Sequence, residues 1–153
     1  MLKLLVLCCV AAAAMAHLCL LNPHQRGSMS GINKPAAADC FLTTSPPCGG
    51  RPGGSPVLAY KAGSNITILF QKNLDHYYSA KPGYFNISIG NSYPGLHQVN
   101  MVKDMGEPSL YIYNATVPIP KNADPFHILQ VTYVTNNPQA PAIFYQCADF
   151  SIV

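Results

Sequence analysis

The chemistry open to this chain rests on few side chains: five histidines and six acidic residues among 153. His17 is the histidine whose position changes what it can do. Lys3 supplies a positive start, residues 4–14 are apolar, and Ala14-Met15-Ala16 is a small-x-small sequence, together the pattern of a secretory leader cleaved after Ala16. Cleavage there makes His17 an N-terminus. Such a residue offers a metal ion two nitrogens, the α-amine and the nearer imidazole nitrogen, and a second histidine completes a planar three-nitrogen set. That set suits Cu(II), which takes tetragonal nitrogen and oxygen coordination. An α-amine, with a pKa of about 7.7 to 8.0, gives up its proton to a metal near neutral pH.

Four histidines compete for the second place. His76 sits in Asn73-Leu74-Asp75-His76-Tyr77-Tyr78, between a strand-like run and the breaker Lys81-Pro82-Gly83, a loop position that presents a side chain at one end of a sheet. His97 lies in a turn-rich stretch, His24 follows a proline, and His127 begins a strand-like run. The two neighbouring tyrosines favour His76. Among the carboxylates, Asp149 stands out. Residues two apart share a face in a strand, so Tyr145, Cys147 and Asp149 project together while Phe144, Ala148, Phe150 and Ile152 face the other way. If Cys19 pairs with Cys147, His17 falls opposite Asp149. Asp75 is an alternative carboxylate that could orient an imidazole from behind. Other constellations do not emerge: there is no glycine-rich phosphate loop, no G-x-S-x-G and no H-E-x-x-H. Six scattered acidic residues give little basis for a paired-carboxylate hydrolase.

The elements that must position these residues come from one domain. Without residues 1–16, about 137 remain, 17–153, enough for one core. The formal charge of +3 loses Lys3 and is slight, and no basic run is present, which argues against a nucleic-acid partner. No apolar stretch long enough to span a membrane follows the leader. The expected destination is extracellular. Cys8 and Cys9 leave with the leader, and Cys19, Cys40, Cys48 and Cys147 make two disulfides with three pairings open. None of them shows zinc-site spacing. Asn65-Ile66-Thr67, Asn86-Ile87-Ser88 and Asn114-Ala115-Thr116 match glycosylation acceptors.

Residues 18–57 are rich in Pro, Gly, Ser and Ala without periodicity, which reads as a long N-terminal loop region pinned by cysteines. Beyond them, alternation over 65–72, 84–89, 110–117, 127–134 and 143–152, separated by Pro and Asn-Pro breakers, predicts short strands. The expected fold is an all-β, immunoglobulin- or fibronectin-like sandwich.

Three of these stretches in this order carry a resemblance across the domain: a leader followed by His17, the Asn73-Leu74-Asp75-His76 loop leading to Pro82-Gly83-Tyr84-Phe85-Asn86-Ile87-Ser88, and the ending Phe144-Tyr145-Gln146-Cys147-Ala148-Asp149. The chain resembles the histidine-brace copper proteins, and within them the copper-acquisition-factor-like family, related in fold to lytic polysaccharide monooxygenases. The resemblance implies that His17 gives its amine and an imidazole nitrogen to copper, His76 a third nitrogen, and Asp149 an oxygen. In the polysaccharide-cleaving relatives a Tyr or Phe occupies the corresponding neighbourhood and leaves positions open for oxygen. A carboxylate there would stabilise Cu(II) and disfavour oxygen chemistry. The absence of tryptophan removes a common sugar-stacking surface, leaving Tyr77 and Tyr78 for that role.

The leading expectation is therefore a secreted copper binder for uptake, storage or delivery, with a copper-transport partner and without turnover. Its rivals are a copper-dependent polysaccharide monooxygenase and a metal-free carbohydrate-recognition or adhesion domain.

Overall fold

The computed structural model describes residues 17–41, 45–56 and 58–153. The leader read over residues 1–16 lies outside them. Among the described residues, eight strands build two sheets: β1 (His17–Asn22), β2 (Ala59–Tyr60), β3 (Asn65–Leu74), β4 (Tyr84–Gly90), β5 (His97–Lys103), β6 (Tyr111–Pro118), β7 (Asp124–Val134) and β8 (Ile143–Ile152). One sheet has the order β1-β3-β6 and the other β2-β8-β7-β4-β5. All pairs are antiparallel except β2 with β8. The described residues contain no helix long and apolar enough to cross a membrane. The chain is an all-β sandwich.

The faces read as apolar from the sequence are the faces that meet in the core. Ile68 and Phe70 on β3, Phe85, Ile87 and Ile89 on β4, Leu129, Val131 and Tyr133 on β7, and Phe144, Ala148 and Phe150 on β8 meet between the sheets. At their centre Phe85 lies 4.5 Å from Tyr133, 4.6 Å from Tyr113 and 5.1 Å from Phe70, centroid to centroid. Each such ring contributes about 1.5–3 kcal/mol by leaving water, and well-placed pairs add about 0.5–1.5 kcal/mol.

Three strands escape a reading by alternation. β1, His-Leu-Cys-Leu-Leu-Asn, is buried over its first four residues, so its run is continuous and looks like part of the loop that follows. β5 is a sheet edge with no fully buried residue, and it begins at His97, which is thus a strand residue and not a turn residue. β2 has two residues.

The disulfides join Cys19 to Cys40 and Cys48 to Cys147. The Cys19–Cys147 pairing that would have set His17 opposite Asp149 does not occur. His17 instead faces Leu74 on β3, and Asp149 faces Ile128 on β7. The two bridges staple the N-terminal loop region to the outside of both sheets. On one side Cys19, Ala37 and Cys40 form a small apolar cluster, and Asn73 accepts the Ala37 N–H at 2.8 Å. On the other, Cys48, Ile128 and Cys147 form a second cluster, and Gln130 donates to the Pro47 carbonyl at 2.7 Å.

Candidate metal centre

β1 begins where β3 ends, so His17 and the connection from β3 to β4 share one end of the sandwich. His76 lies in that connection, two residues beyond Leu74, the cross-strand partner of His17. Both residues are buried, His17 at 1% and His76 at 7% exposure. The His17 ring tilts against Phe41 at 5.1 Å, the His76 ring stacks on Phe144 at 6.2 Å, and the two phenylalanines lie 6.3 Å apart. Two imidazoles from elements far apart in sequence thus flank one aromatic pair.

The connection carrying His76 has no regular ladder, yet side chains hold its backbone. Asn137 donates to the His76 carbonyl at 3.3 Å, and the Asp75 carboxylate accepts the Tyr77 N–H at 2.9 Å. Asp75 also takes the Lys72 ammonium at 2.9 Å, so this carboxylate acts on the turn around the histidine. Further on, Gly83 passes so close to the end of β7 that a Cβ there would stand 2.2 Å from the Val134 carbonyl oxygen, closer than real side chains allow. Only glycine lets the connection dock there.

Behind the loop is a buried polar cluster. On β3 the inward positions run Ile68, Phe70, Lys72, and the last of these is a lysine with no exposed surface. Its ammonium lies 2.8 Å from Asp104, itself fully buried, and the other oxygen of Asp104 accepts the Tyr133 hydroxyl at 2.5 Å. Burial, reinforced by the Asp104 hydrogen bond, pushes the Tyr133 phenol far above the ordinary tyrosine range, so it stays a neutral donor. Burial and the Glu107 hydrogen bond do the same to Tyr113.

Asp149 is not part of this end. Its carboxylate accepts Arg26 Nε at 3.1 and 3.0 Å, Arg26 Nη2 at 2.6 Å and the Gly54 N–H at 2.9 Å. It lies five residues along β8 from Phe144, an odd separation that puts it on the other face and about 17 Å further along the strand. The face assigned to Asp149 from sequence is the observed one, but what covers it is Arg26 from the N-terminal loop region. The residue at the candidate centre is Phe144. Its core-facing parity at the start of β8 was the available signal. The remaining histidines are elsewhere: His24 lines a pocket with Arg26 and Asp149, while His97 and His127 line one at the opposite end with Asp124.

The donor chemistry fits an ion that accepts imidazole. Among the described residues, no three His, Cys, Asp or Glu side chains gather as a metal site. Side chains alone therefore give two donors, His17 and His76, and a third must come from another kind of group. The α-nitrogen of His17 is the candidate already at that position.

No family model and no curated protein matches the chain by sequence. Solved structures match it by fold. A lytic polysaccharide monooxygenase of the AA15 class from Thermobia domestica, in the Cu(I) state, is 19% identical with a TM-score of 0.61, covering 89% of this chain and 98% of that one. A CBM33 polysaccharide monooxygenase studied by X-ray photoreduction is 14% identical with a TM-score of 0.58, covering 90% and 100%. A lytic polysaccharide monooxygenase from Jonesia denitrificans, solved by neutron crystallography, is 13% identical with a TM-score of 0.50, again covering 90% and 100%. The chain has the β-sandwich fold of these proteins over nearly their whole length.

Proposed function

We propose that this is a secreted copper protein with a histidine brace, that its leader is removed after Ala16, and that it acts as a copper-dependent polysaccharide monooxygenase. The observation that carries the reading is that the His17 and His76 rings lie at one end of the sandwich against Phe41 and Phe144, whose own rings are 6.3 Å apart. The amine and imidazole of His17 and the imidazole of His76 would hold the ion. Copper bound there would supply one-electron redox chemistry for activating oxygen. The fold shared with copper monooxygenases supports the reading.

The reading of a copper carrier without turnover rested on Asp149 as a ligand. With that carboxylate engaged by Arg26 and with Phe144 beside His76, its main support is gone. Phe144 brings no donor atom, so it leaves coordination positions free for oxygen. The exposed Tyr78 and its neighbour Tyr77, next to His76, offer faces for sugar rings.

The test takes the protein with its natural N-terminus and a control carrying one extra residue before His17. Titration with Cu(II) and electron paramagnetic resonance should give one tight, nitrogen-rich tetragonal species, lost in the control. Incubation of the copper form with chitin or cellulose, reductant and peroxide should release oxidised oligosaccharides. Tight binding without any product on either polymer would return the protein to copper carriage, and equal weak binding in both proteins would remove copper altogether.

A further inference from the structure

We propose that Tyr133 is a positioning residue for His76, holding the turn around it through Asp104, Lys72 and Asp75 and the His76 ring through Phe144. The inference rests on the copper reading only for its consequence, because the contacts themselves involve no metal.

The Tyr133 hydroxyl donates to Asp104 and so fixes one oxygen of that carboxylate. Asp104 is fixed in turn by Lys72 at 2.8 Å and by the Gly106 N–H at 3.0 Å. The Lys72 ammonium also reaches Asp75, the residue before His76, so one buried cation ties both ends of the cluster together. The Tyr133 ring stacks on Phe85 at 4.5 Å and 16°, and lies 6.2 Å from Phe144, whose other neighbour is the His76 ring at 6.2 Å and 13°.

A cluster of this kind is unusual for stability alone. Replacing a buried ion pair with apolar side chains of similar volume is often neutral or stabilising. What a satisfied buried network provides is one arrangement, because every alternative leaves a charge or a donor without a partner. His76 needs that, since its own segment has no ladder to hold it.

The experiment compares Tyr133→Phe with Tyr113→Phe. Tyr113 is the matched control: a buried phenol on the same Phe85 ring, donating at 2.5 Å to Glu107. In the metal-free protein, nitrogen-resolved NMR of the His76 imidazole should show one sharp set of signals in the wild type and in Tyr113→Phe, and broadened or doubled signals in Tyr133→Phe. In the copper form, Tyr133→Phe should weaken Cu(II) binding about tenfold, in the range for loss of a group that orients a ligand, and add a second paramagnetic species. Wild-type His76 signals in Tyr133→Phe would overturn the proposal. A third measurement needs no variant: the Tyr77 amide, bonded to the Asp75 carboxylate at 2.9 Å, should exchange with solvent slowly although it lies outside any strand, and exchange at the rate of an open loop would also overturn it. Failure of wild-type copper binding would remove the proposed function while the metal-free signals still decide the positioning role.

Discussion

Asp149→Ala separates a metal ligand from a structural anchor. The side chains of Arg26 and Asp149 are 10% and 6% exposed, and the carboxylate receives three guanidinium hydrogen bonds and one from Gly54. Deleting it leaves a buried guanidinium with the Arg51 carbonyl at 3.2 Å as its remaining acceptor. Breaking a buried pair by removing one partner costs about 3–5 kcal/mol. For a domain of this size each kcal/mol is worth about 3 °C of midpoint. Thermal unfolding of the metal-free variant, followed by circular dichroism, should therefore show a midpoint lowered by about 10–15 °C. Cu(II) affinity at 25 °C, below that transition, should stay within about twofold of wild type because the pair is remote from His17 and His76. A variant with an unchanged midpoint and copper affinity reduced tenfold or more would refute this placement of Asp149 and restore it as a ligand.

Three further outcomes follow from the fold. The Cys48–Cys147 bridge spans 99 residues and the Cys19–Cys40 bridge 21, so loop entropy makes the first the more stabilising, at about 4.7 against about 3 kcal/mol; paired alanine substitutions and thermal melts should rank them so. The Ser28 hydroxyl, then the Ser30 N–H, hold the Asp39 carboxyl below its ordinary value of 3.8, so its contribution is present above that pH and lost as the pH falls through the lower folded value; Ser30 amide exchange followed from pH 5 to 2 should accelerate only in the acid part of that range. Asn65 and Asn114 are exposed, whereas the Asn86 side chain is half-covered with its Oδ1 buried, so glycopeptide mapping of protein expressed through a eukaryotic secretory pathway should find sugar on the first two and none on Asn86.

Much of the frame was legible in the residues. Where one face of a strand is buried and the other wet, as in β6, alternation is a direct image of the core; in β3, β4, β7 and β8 the core-facing positions still alternate although part of the second face is covered as well, and turn chemistry marks the ends. β1 and β5 were not legible for opposite reasons, one being buried nearly throughout and the other hardly at all. The lysine at position 72 is the instructive case. Its parity with Ile68 and Phe70 pointed inward, but a lone charge there has no meaning until Asp104, 32 residues on, is known to meet it.

The same division holds at the site. The sequence by itself determined the sandwich, the two disulfides as a count and the faces of β8, because these follow from local periodicity and from residue type. Only the tertiary structure decided which cysteines join, that Arg26 takes Asp149, and that His76 and Phe144 meet near His17. Those are contacts between segments tens of residues apart, and partner choice at that range is set by strand register and loop path. A carboxylate is equally able to bind a guanidinium or a metal ion, so its type and spacing leave the partner undetermined until the chain has folded.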